Sequence, residues 1–224
     1  LNITQNDWTK SLSPELKAET AALPLRRDML TMLTYLKNNK VKGTKARGNF
    51  PRKHIRAITA DFINPPTLDV VMKDATWKLH SEDEVQDLIR YHLLACISGL
   101  IFGGENLDWE LLPQGEMFLS LPPASQVWYL SHVWFQEFNW LFEYETPDLW
   151  PLFDLKTTVV ACLTSYPAEE NIPIDQVIRD LLSMQQAVRT EADFNGLKYF
   201  LERVVIQPMG TFGILKVIES NPHD

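Results

Sequence analysis

The chain has 224 residues, of which 45% are hydrophobic and 22% charged, and its formal net charge at pH 7 is −8. This much apolar material can build a sizeable core, which excludes wholesale disorder. The longest apolar-rich stretches, such as residues 93–102, are too short to span a bilayer, and no basic-then-apolar leader opens the chain. We therefore expect a cytoplasmic protein with no membrane partner.

Charge is distributed unevenly along the chain. Residues 1–60 hold 12 Lys and Arg against 4 Asp and Glu, whereas residues 61–224 hold the remaining 9 against 25. The segment from Lys37 to Arg56, here called the basic segment, carries eight Lys and Arg and no acid. A basic cluster around a helix start can hold phosphate, so this segment is the best functional lead.

Helix signals dominate the start of the chain. Ser13-Pro14-Glu15 combines a cap, a Pro at the first helical position and an acid in the first turn, which predicts a helix start. A second helix is predicted over about 25–38, because apolar residues recur there at spacings of three and four. Its predicted buried stripe comprises Leu25, Met29, Met32, Leu33 and Leu36.

The sequence of the basic segment itself predicts a strand, a turn and a helix. Residues 40–45 are compatible with a short strand, and Arg47-Gly48-Asn49 with a turn. Pro51 can start the next helix, in which Ile55, Ile58 and Phe62 form the buried stripe. This spacing places Arg52, Lys53 and Arg56 on or near the exposed side of that helix.

In the middle of the chain, the sequence LDVVM within residues 67–80 suggests a strand. Ser81-Glu82-Asp83-Glu84 fits a capping box for a helix that runs to Gly99. Residues 100–102 and 109–112 flank a turn and predict a hairpin. Pro122-Pro123 then opens an aromatic-rich helix over about 123–143.

The last third repeats this rhythm. Helices are predicted over about 155–163, 174–184 and 194–205, with Asp193 as the cap of the last one, Pro208 as its stop, and a strand over 211–218. We therefore predict a mainly α protein of tandem winged-helix-like units with small β-wings. The predicted units are residues 1–80 (basic), 81–150 (with the aromatic helix) and 151–224 (C-terminal).

The segment from Leu23 to Ile58 also resembles a known pattern of helix, strand-turn and second helix. The matching residues are Val41, Thr44, Gly48, Asn49, Pro51, Arg52 and Lys53. The pattern is similar to winged-helix-like regions of the N-terminal domain associated with XPB-type DNA helicases, and to uncharacterised bacterial proteins. Pro113 and Gly115 fit its usual continuation, although Leu112 stands where the pattern often has Thr. The resemblance implies a helicase-associated, helix-turn-helix type of DNA-binding fold.

A winged helix of this kind suggests how the basic segment meets nucleic acid. The helix over 51–62 would enter the DNA groove, the preceding strand-turn would hold phosphate, and His54 could add contacts to sugar or base edges. The predicted binding residues are Lys42, Lys45, Arg47, Asn49, Arg52, Lys53 and Arg56. An acidic protein partner, self-association into a homo-oligomer, and a merely solvated basic face remain alternatives.

The aromatic residues of 128–144 have three possible roles. Trp128, Phe135 and Phe142 would share one helix face, and Trp134 and Phe138 another. Core packing is the simplest interpretation, with a protein interface as the alternative. Stacking of single-stranded bases fits less well, because acids and not Lys or Arg interleave with the rings.

No pattern in the sequence indicates catalysis. The chain has no GxxxxGK[ST] motif and no GxSxG setting, and its acidic residues 82–87 are explained by helix capping. Cys96 and Cys162 are single, without a CxxC partner or a His at ligand spacing, so we predict reduced core cysteines and no metal. We expect a protein that is not an enzyme and has no cofactor.

Overall fold

The structure is a computed structural model that describes residues 11–72, 75–140, 154–167, 170–184, 191–216 and 218. The chain forms two compact units. Unit 1 comprises residues 1–138 with 211–213, and unit 2 comprises 139–210 with 214–224. The protein is mostly helical and contains one small three-stranded antiparallel sheet, as the predicted mainly α class with small β elements requires.

Helices make up most of both units. In unit 1 they are α1 (Pro14–Ala22), α2 (Pro24–Asn38), α3 (Arg52–Thr59), α4 (Gln86–Ile97), α5 (Pro113–Ser120) and α6 (Pro123–Gln136). Along the later part of the chain they are α7 (Leu155–Thr164), α8 (Ile174–Met184), α9 (Glu191–Leu201) and α10 (Gln207–Thr211). A π-helical turn, Glu202–Ile206, joins α9 to α10, and a 3₁₀ turn, Glu82–Glu84, precedes α4.

The strands of unit 1 form two separate antiparallel groups. They are β1 (Val41–Lys42), β2 (Asp69–Met72), β3 (Ala75–Lys78), β4 (Ile101–Gly104) and β5 (Leu107–Leu111). The three-stranded sheet has the order β1-β5-β4, and β2 pairs with β3 as an isolated hairpin. In the sheet, Val41 lies opposite Trp109 and Lys42 opposite Asp108.

The helices predicted for the start of the chain are confirmed. The Ser13 hydroxyl accepts a hydrogen bond from the Leu16 N–H and caps α1. The predicted stripe of α2, and Ile55 and Ile58 of α3, are buried in the core of unit 1. The hairpin over 100–112 and the strand at LDVVM are confirmed as well. The second strand of the β2–β3 hairpin and helix α5 were not predicted from the sequence.

A buried carboxylate joins the basic segment to the rest of the core. Glu82 is fully buried, and its Oε2 accepts a hydrogen bond of 2.7 Å from the Phe50 N–H. Its Oε1 lies 2.6 Å from Nδ1 of His92 on α4. The His92 ring stacks on the Phe50 ring at 4.2 Å and meets the Trp109 ring at a steep angle. One carboxylate thus connects the segment after β1, the turn before α4, and α4 itself.

The capping box predicted at residues 81–84 is wrong. α4 begins at Gln86, and the Ser81 side chain makes no capping bond to the turn that follows it. Each acid has a separate partner instead: Glu82 is in the core, the Asp83 carboxylate binds Arg47, and Glu84 accepts from the His80 N–H. Tertiary contacts therefore override the local capping signal.

The aromatic helix is shorter than predicted. α6 ends at Gln136, and the N–H groups of Glu137 and Phe138 both bond to the carbonyl of Val133, which closes the helix. Trp134 and Phe138 are buried, as core packing requires, whereas Trp128 is 49% exposed and stacks on His132. Residues 141–143, including Phe142, lie outside the described residues.

Three predictions for the C-terminal segment are wrong. Asp193 lies inside α9 and does not cap it, and Pro208 lies inside α10 and does not stop the helix. The π-helical turn before Pro208 shifts the bonding pattern and lets the helix continue past a residue without an N–H. Gly213, with φ of 72°, then ends it, so the described residues of 211–218 contain no strand.

The predicted boundaries at residues 80 and 150 differ from the two observed units. β1 and β5 come from opposite sides of residue 80 and pair in one sheet, and both belong to unit 1. The described part of unit 2 contains helical elements and no strand. The paired strands β1 and β5 are about 70 residues apart along the chain. Local patterns cannot predict such a pairing, because they do not show which strands pair.

Glu82 provides a direct test of this architecture. Glu82→Ala leaves the buried Phe50 N–H and His92 Nδ1 without their shared partner, so we expect a loss of about 3–5 kcal/mol in the free energy of unfolding. Glu82→Gln retains a carbonyl acceptor and should cost less. Urea denaturation followed by circular dichroism measures both. Glu110→Ala, at an exposed position of β5, is the control and should stay within about 0.5 kcal/mol of the wild type. A Glu82→Ala loss as small as that of the control would contradict this role.

Candidate nucleic-acid interface

The turn that follows β1 is docked on the β4–β5 hairpin by one backbone hydrogen bond and one hydrogen bond from a side chain. The Gly43 N–H donates to the Leu107 carbonyl at 2.8 Å, and the Trp109 indole N–H donates to the Gly48 carbonyl at 2.7 Å. Within the turn, the Thr44 N–H donates to the Asn49 carbonyl and the Gly48 N–H to the Thr44 carbonyl. The charged side chains of this turn therefore project from a backbone that is fixed at both ends.

Gly48 is required at this position for two reasons. Its φ of +74° is a left-handed conformation that side chains disfavour. A Cβ at this position would also lie 2.8 Å from the backbone nitrogen of Glu105 in the hairpin turn. The turn and the hairpin thus approach each other so closely that a side chain cannot fit between them.

Most of the predicted binding residues are exposed. Lys42 on β1, Lys45 and Arg47 in the turn, and Arg52, Lys53 and Arg56 on α3 are all exposed, and Asn49 is half-buried. The predicted placement of the three α3 side chains on its exposed face is confirmed. The fold therefore brings these residues to the surface of a single unit.

Half of the eight cations of the basic segment already have a carboxylate partner. Arg47 pairs with Asp83 at 2.8 Å, and the Asn49 side-chain amide donates to the same carboxylate at 3.1 Å. Arg56 pairs with Asp69 at 2.7 Å, and this hydrogen bond lowers the pKa of Asp69 and raises that of Arg56. The other two pairs are Lys37 with Glu116 and Lys40 with Asp108.

The other half have no carboxylate within ion-pair distance in the described part of the chain. They are Lys42, Lys45, Arg52 and Lys53, here called the open cations. Arg52 donates from Nε to the backbone carbonyl of His80 at 3.2 Å, which leaves its charge uncompensated.

Two of the open cations face one groove. Lys42 and Lys53 line a groove of about 420 Å³ together with Lys40, His54 and the hairpin residues Asn106 and Asp108. Its charged lining residues are three lysines and one aspartate, and that aspartate is already paired with Lys40. The groove is therefore electropositive.

His54 plays a different role from the one predicted. It is 8% exposed, and its Nδ1 shares a hydrogen bond of 2.8 Å with the Tyr35 hydroxyl. Burial and the neighbouring Lys53 ammonium lower the pKa of His54, so the ring is neutral at pH 7. It lines the floor of the groove and adds no positive charge to it.

Sequence reasoning missed the hairpin residues of this groove. Asn106 and Asp108 are about fifty residues away from Lys53 along the chain and reach it only through the pairing of β5 with β1. The sequence predicts the turn of this hairpin, but no local signal shows that this turn lies beside the basic segment. The pairing of Arg47 with Asp83 is equally invisible in sequence.

Other kinds of site find little support in the described residues. No group of three or more His, Cys, Asp or Glu side chains there is arranged to hold a metal. Both cysteines are free, and burial raises the pKa of the Cys96 thiol to about 12, which makes it a poor nucleophile. None of the described helices combines the length and the apolar character needed to cross a membrane.

No protein-family model, no curated protein and no solved structure matches the chain.

The docking of the turn on the hairpin can be tested with two glycines of similar backbone conformation. Gly48 and Gly99 have φ of +74° and +65°, but a Cβ at Gly99 would meet only the flexible Gln114 side chain, at 3.9 Å. Both Gly→Ala changes cost the left-handed strain of about 1 kcal/mol or more, and Gly48→Ala adds a backbone clash. We expect Gly48→Ala to be the more destabilising by at least about 1 kcal/mol in urea denaturation. Equal losses would show that the close approach at Gly48 is not tight.

Proposed function

We propose that unit 1 is a non-catalytic, winged-helix-like module that binds nucleic acid, with DNA as the ligand, through the open cations. The observation that supports this most is the set of four exposed cations without a carboxylate partner, two of which line one electropositive groove. A polyanion offers such a surface several regularly spaced charges at once, and the release of its counterions drives binding. The single, free cysteines agree with a cytoplasmic setting.

The order of elements in unit 1 supports a winged-helix arrangement. Three helices, α2, α3 and α4, precede the β4–β5 hairpin, and the short strand β1 after the first of them completes the sheet. In this interpretation, β4 and β5 form the wing. We propose the arrangement for unit 1 alone, because the described part of unit 2 offers no sheet that could form a second wing.

The surface of α4 explains why we assign binding to α3 and not to the helix that precedes the wing. α4 is largely buried, and the exposed residues along it are Asp87 and Ile97. Its Arg90 is buried and paired with Asp87 at 3.0 Å. α4 therefore offers phosphate no exposed cation, whereas α3 presents Arg52 and Lys53 to solvent.

A second candidate function is binding of an acidic protein segment. Arg47 and the Asn49 amide converge on one carboxylate, that of Asp83, and three further cations of the basic segment also hold carboxylates. The surface is thus chemically suited to Asp and Glu side chains as well as to phosphate. Binding of an oligoglutamate peptide in preference to DNA at equal ionic strength would favour this alternative.

Nucleic-acid binding is tested by fluorescence anisotropy with labelled single- and double-stranded DNA across a salt series. Four phosphate contacts give a log–log salt slope of about −3.6, so the affinity should fall on the order of 100-fold between about 50 and 200 mM salt. Lys42→Ala with Lys53→Ala should reduce the slope to about −1.8, while Lys198→Ala, at a cation in unit 2 that pairs with Asp175, should leave it unchanged. Absent or salt-insensitive binding would contradict the proposal.

Removing the carboxylate of an ion pair in the interface should change the salt slope in the opposite direction. Asp83→Asn removes the carboxylate that holds Arg47, so Arg47 becomes available to phosphate and the salt slope should become steeper by about 0.9. Because the pair is largely exposed, stability should change by less than about 1 kcal/mol. Asp175→Asn, which removes one of the two carboxylates that pair with Lys198, is the matched control and should leave DNA affinity unchanged. A weaker affinity of Asp83→Asn would show that Asp83 positions the turn instead of competing with DNA.

A further inference from the structure

A second polar groove lies between α2 and α3, on the side of unit 1 that also carries the open cations. It has a volume of about 490 Å³, and Ala57 of α3 is among the residues that line it. The residues that line it are Arg26, Arg27, Leu30, Thr31, Thr34, Tyr35, Asn38, Asn39, Ala57 and Asp61. Most of these side chains can donate hydrogen bonds, and Asp61 is the one acid among them.

The donors follow a helical repeat along α2. Arg27, Thr31, Thr34 and Asn38 are spaced by three and four residues and therefore occupy one face of the helix. Arg27, Thr34 and Asn38 are exposed, and Thr31 is half-buried. A guanidinium, two hydroxyls and an amide in a row form the kind of surface that contacts the phosphates and sugars of nucleic acid without reading its bases.

The charge of the groove favours an anion at its Arg27 end. Arg27 has no carboxylate within ion-pair distance in the described residues, and the first turn of α2 contains no acid. The N-terminus of α2 adds the partial positive charge of its free N–H groups. Arg26, by contrast, uses its guanidinium inside the fold, since it donates to Gln126 and to the Ala21 carbonyl.

The two grooves meet at Tyr35 and His54. Tyr35 lines the α2–α3 groove, His54 lines the groove of the open cations, and the two side chains are joined by their hydrogen bond of 2.8 Å. Asn39 and Lys40 are neighbours in sequence and line one groove each, and Ala57 lies one helical turn beyond Lys53. The polar surface is therefore continuous from the wing to the start of α2.

We infer that the sugar–phosphate backbone of the bound nucleic acid continues from the open cations into the α2–α3 groove, where Arg27, Thr31, Thr34 and Asn38 hold it. This inference rests on the proposed nucleic-acid function and deepens it by extending the footprint. Arg27 and Asn38 are separated by about 16 Å along the axis of α2. That distance equals about five base-pair steps of rise along the axis of B-form DNA.

Arg27→Ala tests the extended footprint in the same anisotropy assay. Arg27 adds a fifth phosphate contact to the four of the open cations, so the wild-type slope becomes about −4.5 and Arg27→Ala should return it to about −3.6. If the two proteins bind equally at about 1 M salt, the variant should bind about eightfold more weakly than the wild type at about 0.1 M salt. The loss should be the same for unrelated DNA sequences, because the contact is to the backbone. Lys37→Ala is the matched control: it removes the same charge from the same helix, but Lys37 pairs with Glu116 and does not line the groove.

Asp61→Asn provides a second variant whose expected effect is a gain. Removing the one acid that lines the groove should tighten DNA binding on the order of threefold at low salt, since phosphate no longer meets a like charge there. This result cannot arise from a failure to fold.

The outcomes separate the inference from the proposed function. One outcome is that the wild type binds DNA, Arg27→Ala and Lys37→Ala have the same salt slope, and Asp61→Asn binds with the wild-type affinity. This outcome would overturn the α2–α3 footprint and leave the proposed function of the open cations intact. A wild-type protein that binds no DNA would overturn both. A reduced slope for Arg27→Ala alone, together with a tighter Asp61→Asn complex, is the result that we expect.

Discussion

The buried Glu82 carboxylate is the interaction on which the surface chemistry of unit 1 depends. It accepts from the Phe50 N–H and contacts His92 Nδ1, and so it fixes the chain between the turn and α3 against α4. A fully buried carboxylate is tolerated only where its hydrogen bonds are satisfied. The Phe50 N–H must therefore stay within hydrogen-bond distance of Glu82. The open cations lie on both sides of Phe50 along the chain. Their backbone is held in place together with Phe50, because β1 is paired to β5 and α3 begins directly after Pro51.

The cations of the basic segment form two classes, those paired with a carboxylate and those without a carboxylate partner. Asp69 and Asp83 come from the region between α3 and α4, and they neutralise Arg56 and Arg47. Lys42 and Lys53, which line the groove beside the β4–β5 hairpin, have no carboxylate partner among the described residues. The net acidity of the chain is therefore compatible with an anion-binding surface. The acids near the basic segment pair with only some of its cations, and the charges of more distant acids are screened beyond about 8 Å at physiological salt.

The sequence indicated local elements well where one residue pattern had one physical meaning. The apolar stripe of α2, the Ser13 cap and the exposure of the α3 cations all follow from helical periodicity and are present in the structure. The capping box at Ser81 failed because Glu82 is needed in the core, a long-range requirement that competes with a local one. The ion pairs of Arg47 and Arg56, and the place of Asn106 in the groove, depend on strand pairing and loop docking, which no local pattern encodes.

The most direct test of the account is to map where DNA touches the protein. Two-dimensional ¹H–¹⁵N spectra of the labelled chain, titrated with a short duplex at low salt, report on each backbone amide. The account predicts perturbed amides around Lys42–Lys45 and Arg52–Lys53, extending along α2 towards Arg27, and unchanged amides in α8. Perturbations centred on α4, or spectra that do not change as DNA is added, would contradict it.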